Sequence, residues 1–210
     1  AKGNLTELRR KKIGAAPGVP DPVNDLVTTF TYEPNFNFLK TLTDPRGNVT
    51  TYTYDYELGE PNKGNLRRIT FPTVNAQTPQ TVFTYNTFGQ VETVTDPNTN
   101  VTKYTYYPAT SYLKDVLQGF GSVDEATTTL AYDTVGNVTS IANPNGHTTT
   151  FQYNNLNQLT KVIAPASFVF ETRYRYDANG NLRHVDRQAV ASSPGSQPAL
   201  GTVSASDDWQ

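Results

Sequence analysis

The sequence predicts an all-β protein, a repetitive antiparallel β-hairpin meander. Three observations predict it. The chain supplies 32 Thr, 13 Tyr and 10 Phe in 210 residues, types that fit a pleated, half-buried surface. Rings alternate with hydroxyls, as in Thr51-Tyr52-Thr53-Tyr54, which puts rings on one face of a strand and hydroxyls on the other. Turn signals built on Gly, Asn and Pro return twice in each unit of about 21–25 residues, the mark of a repeat whose units are hairpins.

Each unit opens on an apolar pair at i and i+3, in half the copies behind Gly-Asn. Eight copies run along the chain: Leu5/Leu8, Leu39/Leu42, Leu66/Ile69, Val91/Val94, Leu113/Val116, Val138/Ile141, Leu159/Val162 and Leu182/Val185. An ideal strand would send i and i+3 to opposite faces. Either a bulge restores one face or both faces are partly buried. A helix would also align such a pair, but these segments are too short and too closely bounded by Gly and Pro.

A turn with proline then reverses the chain. Asp44-Pro45-Arg46-Gly47 and Asn143-Pro144-Asn145-Gly146 put Pro at the second position, where its fixed φ suits the turn. Asp96-Pro97-Asn98-Thr99 is a weaker copy, and Phe71-Pro72 and Ala164-Pro165 retain only the proline. The returning strand ends in two rings, two residues apart, often followed by Asp or Asn: Phe30/Tyr32, Tyr52/Tyr54-Asp55, Phe83/Tyr85-Asn86, Phe151/Tyr153-Asn154 and Tyr174/Tyr176-Asp177. Tyr104/Tyr106 and Leu130/Tyr132-Asp133 complete the series.

The second turn joins one unit to the next. Asp133-Thr134-Val135-Gly136 has Asp first and Gly last, a type I preference, with Gly able to form the bulge of a short hairpin loop. Asp177-Ala178-Asn179-Gly180 and Asn86-Thr87-Phe88-Gly89 match it. In Asn154-Asn155-Leu156-Asn157 the last position is Asn, the non-glycine residue that best tolerates the left-handed region. Two turns per unit give a meander of about 15 short strands. The array is expected over residues 1–188, with an inserted loop near 11–25. A Ser-, Pro- and Gly-rich tail or linker is expected over 189–210, where Trp209 either anchors the tail or begins a further element.

Composition excludes several function classes. Net charge is −2, with 17% charged residues, so there is no basic stripe for nucleic acid. The one basic cluster, Arg9-Arg10-Lys11-Lys12, reads as a solvated loop end. The chain has no cysteine, hence no disulfide and no thiolate metal site. No apolar run is long enough for a membrane-spanning helix. No signal peptide is visible, and with no Met at all the chain reads as a fragment of a longer one.

Nothing in the sequence forms a catalytic constellation. His147 follows a turn glycine and His184 sits within a strand, neither beside a nucleophile motif. Asp44, Asp96, Asp133 and Asp177 occupy turn positions, where a carboxylate caps backbone N–H groups. The loops show no recognisable Ca²⁺ pattern. The sequons at Asn4, Asn48, Asn100 and Asn137 are acceptors only where the source glycosylates. Catalytic, cofactor and metal residues are therefore all expected to be none, and no cofactor is expected.

"YDTVGNVTSIANPNGHTTTFQYNNLNQL" (132–159), "YDANGNLRHVD" (176–186) and "LTDPRGNVTTYTYD" (42–55) resemble the YD repeat, also called the RHS repeat. Copies of its pattern run across residues 3–187. The resemblance implies a long β-ribbon that spirals into a hollow shell. Family members include bacterial Rhs and polymorphic toxins, cocoon-forming subunits of insecticidal toxin complexes, and animal teneurins. Toxin shells end in an Asp-Pro-x-Gly-Leu cleavage motif. Here Asp44-Pro45-Arg46-Gly47 is followed by Asn48, so no self-cleavage residues carry over.

The expectation is thus a non-catalytic structural segment of a secreted or surface protein, part of a β-shell that encloses or displays a toxin, an effector or another module. An adhesive or carbohydrate-binding surface module is a second reading, since the Tyr rows could stack on glycans. A self-assembling filament element is a third, because open strand edges template addition. Expected partners are the rest of a parent chain or further copies through those edges, with an enclosed effector or a surface glycan as further partners, and no nucleic acid or membrane span.

Overall fold

The computed structural model describes residues 3–11, 21, 25–60, 64–165 and 170–187. Fifteen strands follow one another: β1 (Glu7–Arg10), β2 (Leu26–Tyr32), β3 (Leu39–Thr43), β4 (Val49–Tyr54), β5 (Leu66–Thr70), β6 (Gln80–Tyr85), β7 (Val91–Thr95), β8 (Val101–Tyr106), β9 (Leu113–Gln118), β10 (Ala126–Tyr132), β11 (Val138–Ala142), β12 (Thr148–Tyr153), β13 (Leu159–Ile163), β14 (Glu171–Tyr176) and β15 (Leu182–Arg187). Hydrogen-bonded order in the sheet is the order of the chain. This is the antiparallel meander the turn spacing predicts. One 3-10 turn, Asp55–Leu58, interrupts it. The inserted loop near 11–25 lies mostly outside the described residues, and the tail over 189–210, with Trp209, lies wholly outside them.

Two compact units divide the chain, Ala1–Lys103 with Gln118–Val123 and Tyr104–Leu117 with Asp124–Gln210. In the first unit β1 to β7 pair in succession, and β7 pairs the start of β8. In the second, β10 to β15 pair in succession.

The paired registers settle how i and i+3 share a face. In the β10–β11 hairpin, Tyr132 lies opposite Val138 and Leu130 opposite Ile141, with a register shift between Ala131 and Tyr132. Two steps on the ring strand therefore match three on the apolar strand, and Thr139 is the extra residue. The same shift stands at Thr31/Tyr32, Thr53/Tyr54, Thr84/Tyr85, Gln152/Tyr153 and Arg175/Tyr176. A bulge thus returns both apolar residues to the ring face. The extra residue is polar in every hairpin: Lys40, Arg67, Glu92, Thr139, Thr160 and Arg183.

The turns take the conformations their residues favour. Gly136 and Gly180 have φ of 96° and 81° and sit in the reversals after β10 and β14. Asn157 holds the same place at φ 59°, as its side chain permits. Thr99, in the weaker proline turn, is at φ 69°, where a β-branched residue is a rarity.

The sheet has little deep core. Among the described residues Tyr54 is the one buried hydrophobic, with Glu33 and Asp55 as buried polar residues. Most strand positions are half-buried on both faces. A hairpin with so little cover is marginal alone and depends on its neighbours.

Candidate functional site: the ring face and its turns

The ring face is bonded as well as packed. The Tyr32 hydroxyl donates to the Leu5 carbonyl oxygen at 2.8 Å. Tyr54 donates to Leu39 at 2.9 Å, Tyr85 to Leu66 at 2.7 Å, Tyr153 to Val138 at 3.0 Å and Tyr176 to Leu159 at 2.9 Å. Each acceptor is the first apolar residue of the same unit. The tyrosine that ends a unit thus ties its ring strand to the apolar strand before it. A net ~1 kcal/mol per bond makes five of them about 5 kcal/mol, comparable with the net stability of an ordinary domain. In the divergent unit Tyr107 instead donates to Leu130 at 2.9 Å. These hydroxyls serve the scaffold, and burial raises the Tyr85 and Tyr153 phenols above their ordinary value.

The turn carboxylates are equally committed. Asp133 Oδ1 accepts from the backbone N–H of Val135 at 3.0 Å and of Asn137 at 2.9 Å, and its Oδ2 accepts from Asn137 Nδ2 at 2.9 Å. Asp44, Asp96 and Asp177 repeat all three bonds, accepting from the N–H of Arg46, Asn98 and Asn179 and from the N–H and Nδ2 of Asn48, Asn100 and Asn181. This explains the Asn that follows the turn glycine: an acceptor-only carboxylate needs a donor four residues on. Where Asn86 and Asn154 open the turn, Gln closes it. Asn86 Nδ2 donates to Gln90 Oε1 at 2.9 Å, and Asn154 to Gln158 at 2.7 Å. The bond from the following Asn side chain is the largest cause holding all four aspartates below the usual carboxylate range.

One cluster is not visible in the repeat pattern. The turn after β2 replaces Asp by Glu33, a residue only 4% exposed. It accepts from the N–H of Asn35 at 2.7 Å, of Phe36 at 2.8 Å and of Phe38 at 2.8 Å. Burial pushes its pKa up, but these donors and the neighbouring Tyr56 hydroxyl outweigh burial and hold it at about 2. Four rings enclose this turn. Phe36 stacks on Phe38 at 5.5 Å and tilts against Tyr56 at 5.1 Å, and Tyr54 meets Phe38 at 5.1 Å and Tyr56 at 6.0 Å. Asp55, 2% exposed, accepts from the N–H of Tyr56 at 2.7 Å, of Gly64 at 3.0 Å and of Asn65 at 3.2 Å. Burial, then the charges of Glu33 and Glu57, push the Tyr54 phenol up to about 12. The sequence signal was Glu33-Pro34 in place of Asp-x-x-Gly, with Phe36 and Phe38 both close behind.

The opposite face is polar. Thr31 and Thr41, and Thr84 and Thr93, pair hydroxyl to hydroxyl at 2.6 Å. In the second unit Asp115 accepts from Thr105 and Thr129, each at 2.7 Å. Lys161 and Arg173 flank Glu171 at 2.6 and 2.9 Å, and Arg175 meets Asp186 at 2.8 Å. Of the basic cluster, Arg9 and Lys11 reach Asp25 at 3.2 and 3.1 Å, so they are partnered rather than merely solvated.

His147 lies in the exposed turn after β11, its N–H donating to Asn143 Oδ1 at 3.0 Å. His184 lies on β15 opposite Arg175. Among the described residues no group of three His, Cys, Asp or Glu is placed to hold a metal ion, and no helix is long and apolar enough to cross a membrane. The arrangement presents a bonded surface whose aspartates and tyrosines are occupied by the backbone they organise.

Comparison with known proteins gives the same reading of the repeat. The RHS Repeat family matches residues 132–169, the stretch from Tyr132 past β13. No curated protein matches the chain. Solved structures do. A TcdB2-TccC3-Cdc42 crystal structure is similar over 85% of this chain at TM-score 0.64 and 22% identity. A Photorhabdus luminescens Tc holotoxin pore is similar over 85% at TM-score 0.63 and 24% identity, and a TcdB2-TccC3-TEV structure over 82% at TM-score 0.63 and 25% identity. In each case the chain spans 9% of the length of the chain it matches.

Proposed function

We propose, from the premise that this is an RHS-repeat chain with the fold of a Tc toxin segment, that it is a non-catalytic length of wall in a larger β-shell. The shell encloses or displays another module, and the parent protein is secreted or held at the cell surface. The observation that carries the reading is the tyrosine tie between successive bulged hairpins. A wall must transmit stability from each hairpin to the next while exposing two broad faces, and the bond from β4, β6, β12 and β14 back to the apolar strand before each does that. The small fraction of the matched chains that this segment spans supports a role as one portion of a larger enclosure.

The test is cryo-electron microscopy of the full-length parent polypeptide. The expected result is a closed shell in which residues 3–187 form consecutive strands of the wall. A parent in which this segment stands apart as an appendage, with no enclosed volume, overturns the reading.

A further inference from the structure

We propose that the bulged turns recognise one another along the chain: the residue that closes one turn selects the residue tolerated at the left-handed position of the next. In these turns the opening residue donates its N–H to the closing residue's carbonyl oxygen, as Asp133 does to Asn137 at 2.9 Å and Asn154 to Gln158 at 3.0 Å. The residue just before the closing one has positive φ, 96° at Gly136 and 59° at Asn157. The closing side chain then reaches over the left-handed residue of the following turn.

Where the closing residue is long or aromatic, that next residue is glycine, and no side chain fits there. A Cβ at Gly136 would meet the Tyr112 hydroxyl oxygen at 2.7 Å, one at Gly64 the Phe38 ring at 2.9 Å, and one at Gly180 the Nε2 of Gln158 at 3.0 Å. None of these closing side chains is free to retreat. Tyr112 lies against Tyr132 at 5.0 Å, and Phe38 lies against Phe36 and Tyr54 at 5.5 and 5.1 Å. Gln158 Oε1 accepts from Asn154 Nδ2 at 2.7 Å.

Where the closing residue is Asn, the next left-handed position has room. In two turns it carries an Asn that completes an amide bond. Asn137 Nδ2 donates to Asn157 Oδ1 at 3.0 Å. Asn4 and Asn37 exchange two such bonds at 2.7 and 2.9 Å, with Asn37 at φ 63°. A non-glycine residue at such φ is strained, and the bond from the preceding turn offsets that strain. Asn65 also closes a turn, but the next left-handed residue is Gly89, whose Cβ would meet nothing within 4 Å among the described residues. That position is an unfilled socket of the same kind.

An array of near-identical hairpins has a use for such matching. Like repeats misassemble with one another by the same ladders that fold them, and discrimination needs clashes as well as attractions. A turn closed like that of Tyr112 rejects a following turn that carries Asn, and the Asn157 turn forfeits its bond behind any closing residue that lacks the short amide. A wrong succession therefore costs either a clash or a bond.

The experiment compares Gly89→Asn with Gly180→Asn in the intact chain by urea unfolding. Both put Asn at a left-handed position, so backbone strain is common to the two and their difference reads the closing residue. Gly89→Asn should be the more stable by at least about fivefold in the unfolding equilibrium constant, the worth of one net hydrogen bond. Gln158→Asn should then couple with Gly180→Asn: the double variant should lose less than the two single losses combined, by about the same factor. A second cycle, Asn137→Ala with Asn157→Gly, should show coupling of the same sign and size, and it decides if Gly180→Asn does not fold. Equal cost at positions 89 and 180, or additivity in either cycle, would overturn the proposal.

Discussion

The Tyr153 hydroxyl donates to the Val138 carbonyl oxygen at 3.0 Å, joining the end of β12 to the start of β11. The bond leaves the ring's packing and its hydrogen bond separable by one atom. Tyr153→Phe keeps the ring and removes the donor. The expected loss is about 1 kcal/mol, read as a lowered urea midpoint with unchanged slope. Tyr85→Phe should cost the same, and the two losses should add, since the sites share no partner. An unaltered midpoint for both variants would show that the ties contribute nothing.

Lengthening the bulge is a harsher change than altering it. Thr139→Ala should stay within about 0.5 kcal/mol, as a surface substitution does. Deleting Thr139 leaves Val138 and Ile141 two residues apart, so regular pairing with Tyr132 and Leu130 keeps both on the ring face, whereas inserting one Ala after Thr139 shifts Ile141 to the polar face or forces the hairpin to slip its register. The expected result of the insertion is a loss of several times the Thr139→Ala effect, with amide protection lost across β11 first. Equal stability of the insertion and Thr139→Ala would mean that the spacing of the apolar pair does not set the face.

Glycines that close the two kinds of turn should differ. A Cβ at Gly136 would meet the Tyr112 hydroxyl oxygen at 2.7 Å, whereas one at Gly146 meets nothing within 4 Å. Both residues have positive φ, so each Ala substitution costs about 1–2 kcal/mol of backbone strain. Gly136→Ala should cost more, because Tyr112 must move as well. Thermal unfolding of the pair gives the order, and a larger loss at Gly146 would contradict it.

The weak proline turn can be improved. Thr99 is exposed, β-branched and at φ 69°. Thr99→Gly relieves about 1–2 kcal/mol of strain against a smaller entropic cost of glycine. A gain of up to about 1 kcal/mol is expected in equilibrium unfolding, and a loss would place the strain elsewhere.

Acid should unfold the protein through its turns. Asp44, Asp96, Asp133, Asp177 and Glu33 all have folded values below their ordinary ones. For a depressed carboxylate the stabilisation is fully present above the unfolded value and is lost as pH falls through the folded one. For Glu33 that window runs from its ordinary 4.5 down to about 2. Stability should be flat above pH ~5 and fall steadily below pH ~4. Glu33→Gln should be less stable at neutral pH and show a shallower acid slope. An unchanged slope would remove Glu33 from the account.

The strands and turns were legible because their causes are local. Asp133 bonds residues two and four places on, and alternation of Thr and Tyr needs no distant partner. The array, the reversals at Gly136 and Gly180 and the left-handed Asn157 therefore followed from reading along the chain. The ring-lined turn around Glu33 did not, because its rings arrive from two separate hairpins.

What the sequence by itself determined is the period, the strand count and the turn chemistry, all fixed by contacts within about five residues. What only the tertiary structure decided is which face the i, i+3 pair shares and where the tyrosine hydroxyls go. A bulge exists only relative to the strand beside it, and the ties join residues 15 to 27 positions apart. Those bonds form once neighbouring hairpins have set each other's register, so no single segment of the sequence contains them.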